Sequence, residues 1–261
     1  MEKSVWALIL GSSSGFGEAT ALELARLGHN IFGVHLDRRS TMPHVEEIVG
    51  KIQQVGREAV FFNGNAADAE KRRDVIARIR EEFQKNPGTV RVLLHSLAFG
   101  TLQLFVGSNN TVTRQQMDMT ADVMGHSLVY WVQDLVREGL IESGGRIFAM
   151  TSSGGTRVLP NYGPVSAAKA VLESHIRQLA LELAPLGITA NAIRAGVTDT
   201  PALRKIPGHE MLIEAARQRN PYKRLTTPRD VASAIGVLAQ PNTSWITGNV
   251  IGVDGGEDVV G

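Results

Sequence analysis

The chain is predicted to be an α/β protein, a single doubly wound sheet of parallel strands with helices on both faces. Short apolar runs alternate with longer segments of helical periodicity through all 261 residues, the pattern of parallel strands joined by crossover helices. The first run passes directly into a glycine-rich turn, Gly11-Ser12-Ser13-Ser14-Gly15-Phe16-Gly17, and then into a helical stretch. No repeat, low-complexity tract or Pro/Gly/Ser-rich linker breaks the series, so residues 1–261 read as one domain.

Strands are expected at residues 5–10, 30–36, 59–63, 90–95, 145–150, 188–194 and 249–253, which makes seven. Helical segments include 15–27 and 45–55, with two long apolar helices around 117–140 and 164–184. The first turn is spaced Gly-x3-Gly-x-Gly. Glycines permit a tight reversal and close approach of backbone to a pyrophosphate, and the free N–H groups of the following helix attract its charge. Gly11, Ser13, Ser14, Gly15, Phe16 and Gly17 are therefore candidate dinucleotide-binding residues in a Rossmann-type unit.

At the end of the second strand, where an acidic residue would hold the adenosine ribose of NAD, the chain reads His35-Leu36-Asp37-Arg38-Arg39. His35 takes the usual acidic position. Arg38 and Arg39 suit a 2′-phosphate and point to NADPH, whereas an Asp37 turned inward, with both arginines solvated, would select NADH. Past the third strand, Asn65 and Ala66 stand where an adenine edge would be read. Two weakly patterned stretches, 99–113 and 200–220, follow the fourth and sixth strands and are candidate pocket walls, since ligands of open α/β sheets bind outside the carboxyl ends of strands.

Composition narrows the partners. A net charge of +1, from 27 basic and 26 acidic residues, supplies no general attraction to nucleic acid or to an anionic membrane. With no cysteine there is no disulfide, thiol nucleophile or thiolate metal site, which fits a reducing compartment, and the start Met1-Glu2-Lys3-Ser4 leads into an apolar run too short for an export signal. A cytoplasmic location is expected. The seven histidines lack metal-ligand spacing, so no metal is expected; His126 and His175 read as packing or surface residues. Met117, Met119 and Met124 suit core gaps or an acyl tunnel, and Phe99 is the better pocket candidate because it directly follows the fourth strand. The run Glu70-Lys71-Arg72-Arg73-Asp74 reads as a solvated helix face.

The candidate reacting pair is Tyr162 and Lys169, six residues apart in Tyr162-Gly163-Pro164-Val165-Ser166-Ala167-Ala168-Lys169. Their offset would be about 10 Å of continuous helix at about 1.5 Å per residue. Tyr162 must therefore precede the helix to bring its phenol towards the ammonium. Gly163-Pro164 supports this, because proline suits a first helical turn and glycine lets the lead-in bend back.

The turn, the Tyr162/Lys169 pair, Asn191-Ala192-Ile193 and the closing run Ile246 to Gly256 together resemble the short-chain dehydrogenase/reductase family across nearly the whole chain. Most members place the tyrosine four residues before the lysine, where this chain has Val165. The longer gap is similar to the Tyr-x6-Lys enoyl-acyl-carrier-protein reductases, as are Arg157-Val158-Leu159-Pro160-Asn161 and His95-Ser96-Leu97-Ala98-Phe99. The ordinary glycine turn resembles one branch of these enzymes, as do Asp199 to Leu203 and Glu214 to Gln218 in a segment expected to cover substrate.

The resemblance implies an NAD(P)H-dependent reductase of 2-enoyl thioesters in fatty acid synthesis, with acyl carrier protein as a possible partner, assembled as a homotetramer. It implies that Tyr162 donates to the thioester oxygen, that Lys169 binds the nicotinamide ribose, that Ser152 assists, and that Ser96, Gly196, Thr198 and Thr200 touch the cofactor. Met124 aligns with the asparagine many ordinary members use in a proton relay, which favours enoyl over carbonyl reduction. Ser152, seventeen residues before Lys169, occupies the serine position of ordinary carbonyl reductases and keeps that reading open. A cofactor-bound scaffold without turnover is a third reading, set against the presence of both Tyr162 and Lys169.

Overall fold

A computed structural model describes residues 3–107 and 109–260 of the chain. Seven strands form one parallel sheet in the order β3-β2-β1-β4-β5-β6-β7. They are β1 (Ser4–Leu10), β2 (Asn30–His35), β3 (Ala59–Asn63), β4 (Gly88–His95), β5 (Arg146–Ser152), β6 (Thr189–Ala195) and β7 (Val250–Val253). The helices are α1 (Gly15–Arg26), α2 (Met42–Gln54), α3 (Ala69–Lys85), α4 (Arg114–Ala121), α5 (Ser127–Arg137), α6 (Gly163–Leu183), α7 (His209–Arg219) and α8 (Pro228–Leu238).

The central strands are continuously apolar because helices cover both faces of the sheet. Successive β1 side chains go to opposite sides. Trp6, Leu8 and Leu10 join Phe32 and Trp131 in one core, whereas Ala7 and Ile9 join Leu24 and Ile48 in the other. The strand order reverses between β1 and β4, which opens a crevice at their carboxyl ends. Helix starts are set locally. Asp68 accepts from the Lys71 N–H at 2.8 Å before α3, Thr227 and Asp230 form a reciprocal cap on α8, and Pro164 lies in the first turn of α6 directly after Tyr162.

Two elements differ from the sequence expectation. The long helix around 117–140 is interrupted by a π-helical turn, Asp122–His126, between α4 and α5. There the Ser127 hydroxyl donates to the Val123 carbonyl at 2.9 Å, and Gly125 lets α6 approach so closely that a Cβ would lie 2.9 Å from Val171 Cγ1. Within 200–220 the chain forms α7, whose single buried residue is Ala216, so its apolar pattern is weak because it covers the body rather than packing into it. Among the described residues no helix is long and apolar enough to cross a membrane.

Candidate active site

The cleft is built first by the glycine turn after β1. Gly11 has φ +88°, and a Cβ there would collide with the Ser96 carbonyl at the end of β4; a Cβ on Gly17 would collide with the Gly11 carbonyl. The Gly11 and Ser12 N–H groups donate to Val34 O at 2.8 and 3.1 Å. The N–H groups of Gly15, Phe16 and Gly17 have no backbone acceptor among the described residues, and Ser14 forms no side-chain cap. Orphan donors at a helix start, approached by a turn with no room for side chains, fit a pyrophosphate. Phe16 itself packs against the core, and Ser13 remains beside the cleft. Across it, Thr200 lies 3.4 Å from a Cβ built on Gly15, so the segment after β6 closes over the turn.

At the carboxyl end of β2, His35 turns inward. Its side chain is 2% exposed, and its Nδ1 lies 3.0 Å from Asp37 Oδ2. Asn63 pins Asp37 from both sides, accepting its N–H at 3.0 Å and donating to its carbonyl at 2.9 Å. Burial pushes the Asp37 carboxyl up, but hydrogen bonding from Ser13, Thr41 and His35 outweighs this and holds it below the usual range. The structure thus places an ionised carboxylate against the glycine turn, with His35 behind it. Arg38 and Arg39 are exposed and make no ion pair among the described residues. Asn65 is exposed, its Oδ1 accepting the Ala67 N–H at 3.0 Å, while buried Ala66 gives its carbonyl to Trp131 Nε1 at 2.8 Å.

The candidate reacting groups meet where β5 ends and α6 begins. Tyr162 is 8% exposed. Burial pushes its phenol above the usual range, and the Ser152 hydroxyl beside it works the other way. The phenol is therefore protonated at neutral pH and available as a donor. Ser152 Oγ also accepts the Gly154 N–H at 3.1 Å, and a Cβ on Gly154 would collide with the Tyr162 ring. Lys169 is buried and donates to the Met150 carbonyl at 2.7 Å; burial pulls its pKa down to about 8, opposed by the charge of Glu173 one turn on. Below it, buried His95 is held at about 3 by burial and by the Lys169 charge, so it stays neutral, with Nε2 2.9 Å from Ser127 Oγ.

Tyr162 also belongs to an apolar cluster apart from the two cores. Val123, Met124, Val165 and Ala168 are buried with it, and Leu97, Leu102, Met119, Leu159 and Ile206 pack around them. Met124 sits in the π turn, its sulfur 2.8 Å from where a Cβ on Gly100 would lie. Phe99 is 58% exposed at the rim, whereas Phe105 lies over Gly163 next to Tyr162. Leu97, Leu102, Phe105, Leu159 and Ile206 were not legible as individual site residues; Leu97 and Leu159 fall within the two segments that resemble enoyl reductases, Leu102 and Phe105 in the 99–113 stretch, and Ile206 in 200–220. After β6, Thr198 donates to the Gly196 carbonyl at 2.9 Å, and Thr200 Oγ1 accepts the Leu203 N–H at 3.2 Å. The candidate groups of the turn, β5, α6 and the post-β6 segment thus share one end of the sheet, while Arg38, Arg39 and Asn65 lie at its solvent edge.

This fold and site define an NAD(P)H-dependent reductase of the short-chain dehydrogenase/reductase class. A family model described as enoyl-(acyl carrier protein) reductase matches residues 11–257, and the chain belongs to that family. A 1-cyclohexenylcarbonyl-CoA reductase from Streptomyces collinus is 28% identical over 258 residues, 97% of this chain and 87% of the relative. The crystal structure of the NADH-dependent enoyl-[acyl-carrier-protein] reductase of Aquifex aeolicus is similar with a TM-score of 0.84 at 26% identity, covering 99% of this chain and 98% of that one. A promiscuous reductase that catalyses keto-reduction at C1 in lugdunomycin biosynthesis is similar with a TM-score of 0.83 at 28% identity, covering 99% and 98%.

Proposed function

We propose that the chain reduces the 2,3 double bond of an enoyl thioester. The observation that carries this reading is a protonated Tyr162 packed in an apolar cluster, with Met124 rather than a polar relay group in the adjoining π turn. Bound NAD(P)H supplies the hydride to the β-carbon. The orphan N–H groups of Gly15, Phe16 and Gly17, with Ser13 and Ser14, hold the pyrophosphate; Lys169 holds the nicotinamide ribose; Ser96, Gly196, Thr198 and Thr200 border the ring. The Tyr162 phenol donates to the thioester oxygen as enolate charge develops there, and Ser152 orients the phenol. The Lys169 ammonium adds positive potential in a site from which Met124, Val165 and the segment 200–220 exclude water. Solvent protonates the α-carbon afterwards.

In the sequence, Arg38 and Arg39 point to NADPH. The ionised Asp37 beside Ser13 supports NADH instead, since a carboxylate there accepts a ribose hydroxyl and repels a 2′-phosphate. A single domain, a homotetramer and acyl carrier protein as thioester donor complete this proposal. A second reading, carbonyl reduction, is favoured by the Ser152 hydroxyl beside the Tyr162 phenol, a pair suited to polarising and protonating a ketone oxygen. Oxidation of NADH and NADPH by the purified protein with matched 2-enoyl and 3-keto thioesters decides between them, and turnover of the ketone alone refutes the first reading.

A further inference from the structure

Two adjacent acids, Glu257 and Asp258, join parts of the site through polar contacts. Glu257 has a side chain only 4% exposed, yet both of its oxygens are committed to different elements. Oε1 pairs with Arg219 Nη2 at 2.9 Å at the end of α7, and Oε2 accepts the Val197 N–H at 3.1 Å just after β6. The fit is tight, because a Cβ on Gly196 would collide with Thr226 Oγ1 and lie 2.9 Å from Glu257 Oε2. Next to Arg219, buried Asn220 donates to the Asp254 carbonyl at 2.8 Å. α7 buries only Ala216, and these polar contacts tie its carboxyl end to the end of β6 and to the Asp254 carbonyl.

Asp258 does the same on the other side. Its Oδ1 lies 2.9 Å from Arg157 Nε and its Oδ2 3.1 Å from Arg194 Nη1, while its carbonyl accepts from Arg157 Nη2 at 2.9 Å. Arg157 opens the segment that leads into Tyr162, and Arg194 lies on β6.

We propose that Glu257 is a positioning residue that sets the substrate-covering segment against the Gly196–Thr198 backbone, and that Asp258 sets the approach to Tyr162 against the same strand end. The inference rests on the reading of residues 200–220 as the substrate cover. A buried carboxylate with one partner removed is an uncompensated charge, so the loss of either partner is felt by the other. Glu257 thereby ties the substrate-covering segment to the end of β6.

The test compares Glu257→Gln, Arg219→Gln and the double variant. Glutamine keeps one acceptor for the Val197 N–H, but its NH2 then faces Arg219, so the charge and the acceptor that Arg219 uses are both lost. Amide exchange of the peptide spanning 203–219 is measured in the cofactor-free protein, with the β1 peptide as folding control. Kinetics use whichever thioester the wild type reduces, and cofactor affinity is read from NADH fluorescence. Each single variant is expected to speed exchange of 203–219 about tenfold and raise the thioester KM about tenfold, with kcat and NADH affinity held within about twofold and the double variant no worse than the worse single. Asp258→Asn is expected to lower kcat with the thioester KM unchanged. Unchanged exchange and KM, or effects that add in the double variant, overturn the proposal; should Glu257→Gln not fold, Arg219→Gln carries the same prediction. Wild-type turnover of the ketone alone refutes enoyl reduction and leaves this coupling readable on the ketone.

Discussion

Replacing Lys169 by methionine is predicted to make the protein more stable and inactive. The ammonium is buried, its one hydrogen bond goes to the Met150 carbonyl, and its pKa falls from 10.5 to about 8. That fall corresponds to a penalty of about 3 kcal/mol on the charged form. Methionine fills similar volume without the charge, but it leaves the Met150 carbonyl with one partner fewer, a loss of about 1–2 kcal/mol. The net gain at pH 7 is therefore about 1–2 kcal/mol, or roughly 3–5 °C in Tm for a chain of this size. The sign has a pH signature. Because the folded pKa of the lysine lies below its unfolded value, the penalty is fully present below about pH 8 and is relieved as pH rises towards 10.5, where the unfolded chain still binds the proton and the native one does not. Thermal unfolding of both proteins without cofactor, at pH 7 and at pH 9.5, should show the advantage of Lys169→Met shrinking with pH. NADH oxidation should fall at least about 100-fold as the ribose contact and positive potential are lost. A lower Tm at pH 7, or an advantage independent of pH, would show that the buried Lys169 charge does not destabilise the fold.

Asp37→Asn should raise NADPH use relative to NADH. At an effective dielectric of about 20, a unit like-charge pair roughly 6 Å apart costs about 3 kcal/mol, so the ratio of kcat/KM values should move about 100-fold, and an unchanged ratio would show that Asp37 does not face the ribose. Gly17→Ala should abolish NADH binding, measured by fluorescence titration, and lower stability by about 2 kcal/mol or more, because the new Cβ meets the Gly11 backbone carbonyl; an alanine variant that binds normally contradicts the close-packed turn. Tyr162→Phe removes one hydroxyl that is hydrogen-bond donor to the proposed enolate, and kcat should fall about 100- to 1,000-fold with Tm changed by less than about 2 °C, read by steady-state kinetics and calorimetry.

The strands were legible because burial on both faces writes itself as continuous apolar runs, as in Trp6 to Leu10. The start of α6 was legible because Gly163-Pro164 acts locally, which placed Tyr162 just outside the helix. The π turn was not legible, since it depends on how α6 meets Gly125 and on the bond from Ser127 to Val123. Nor did strand spacing tell His35 from Asp37. Both stand at the end of β2, and the choice is made by Asn63, a partner on β3 that orients the Asp37 backbone. Glu257 and Asp258 lie beyond sequence reading for the same reason: their partners Arg219, Val197, Arg157 and Arg194 are tertiary neighbours.

Enoyl reduction by Tyr162, packed among apolar side chains, is the assignment on which the other roles depend. Steady-state oxidation of NADH by the purified protein, with 2-enoyl and 3-keto thioesters of the same chain length and carrier, tests it most directly. A larger kcat/KM is expected for the enoyl thioester, lost in Tyr162→Phe. Turnover of the keto thioester alone, or full enoyl reduction by Tyr162→Phe, would contradict it.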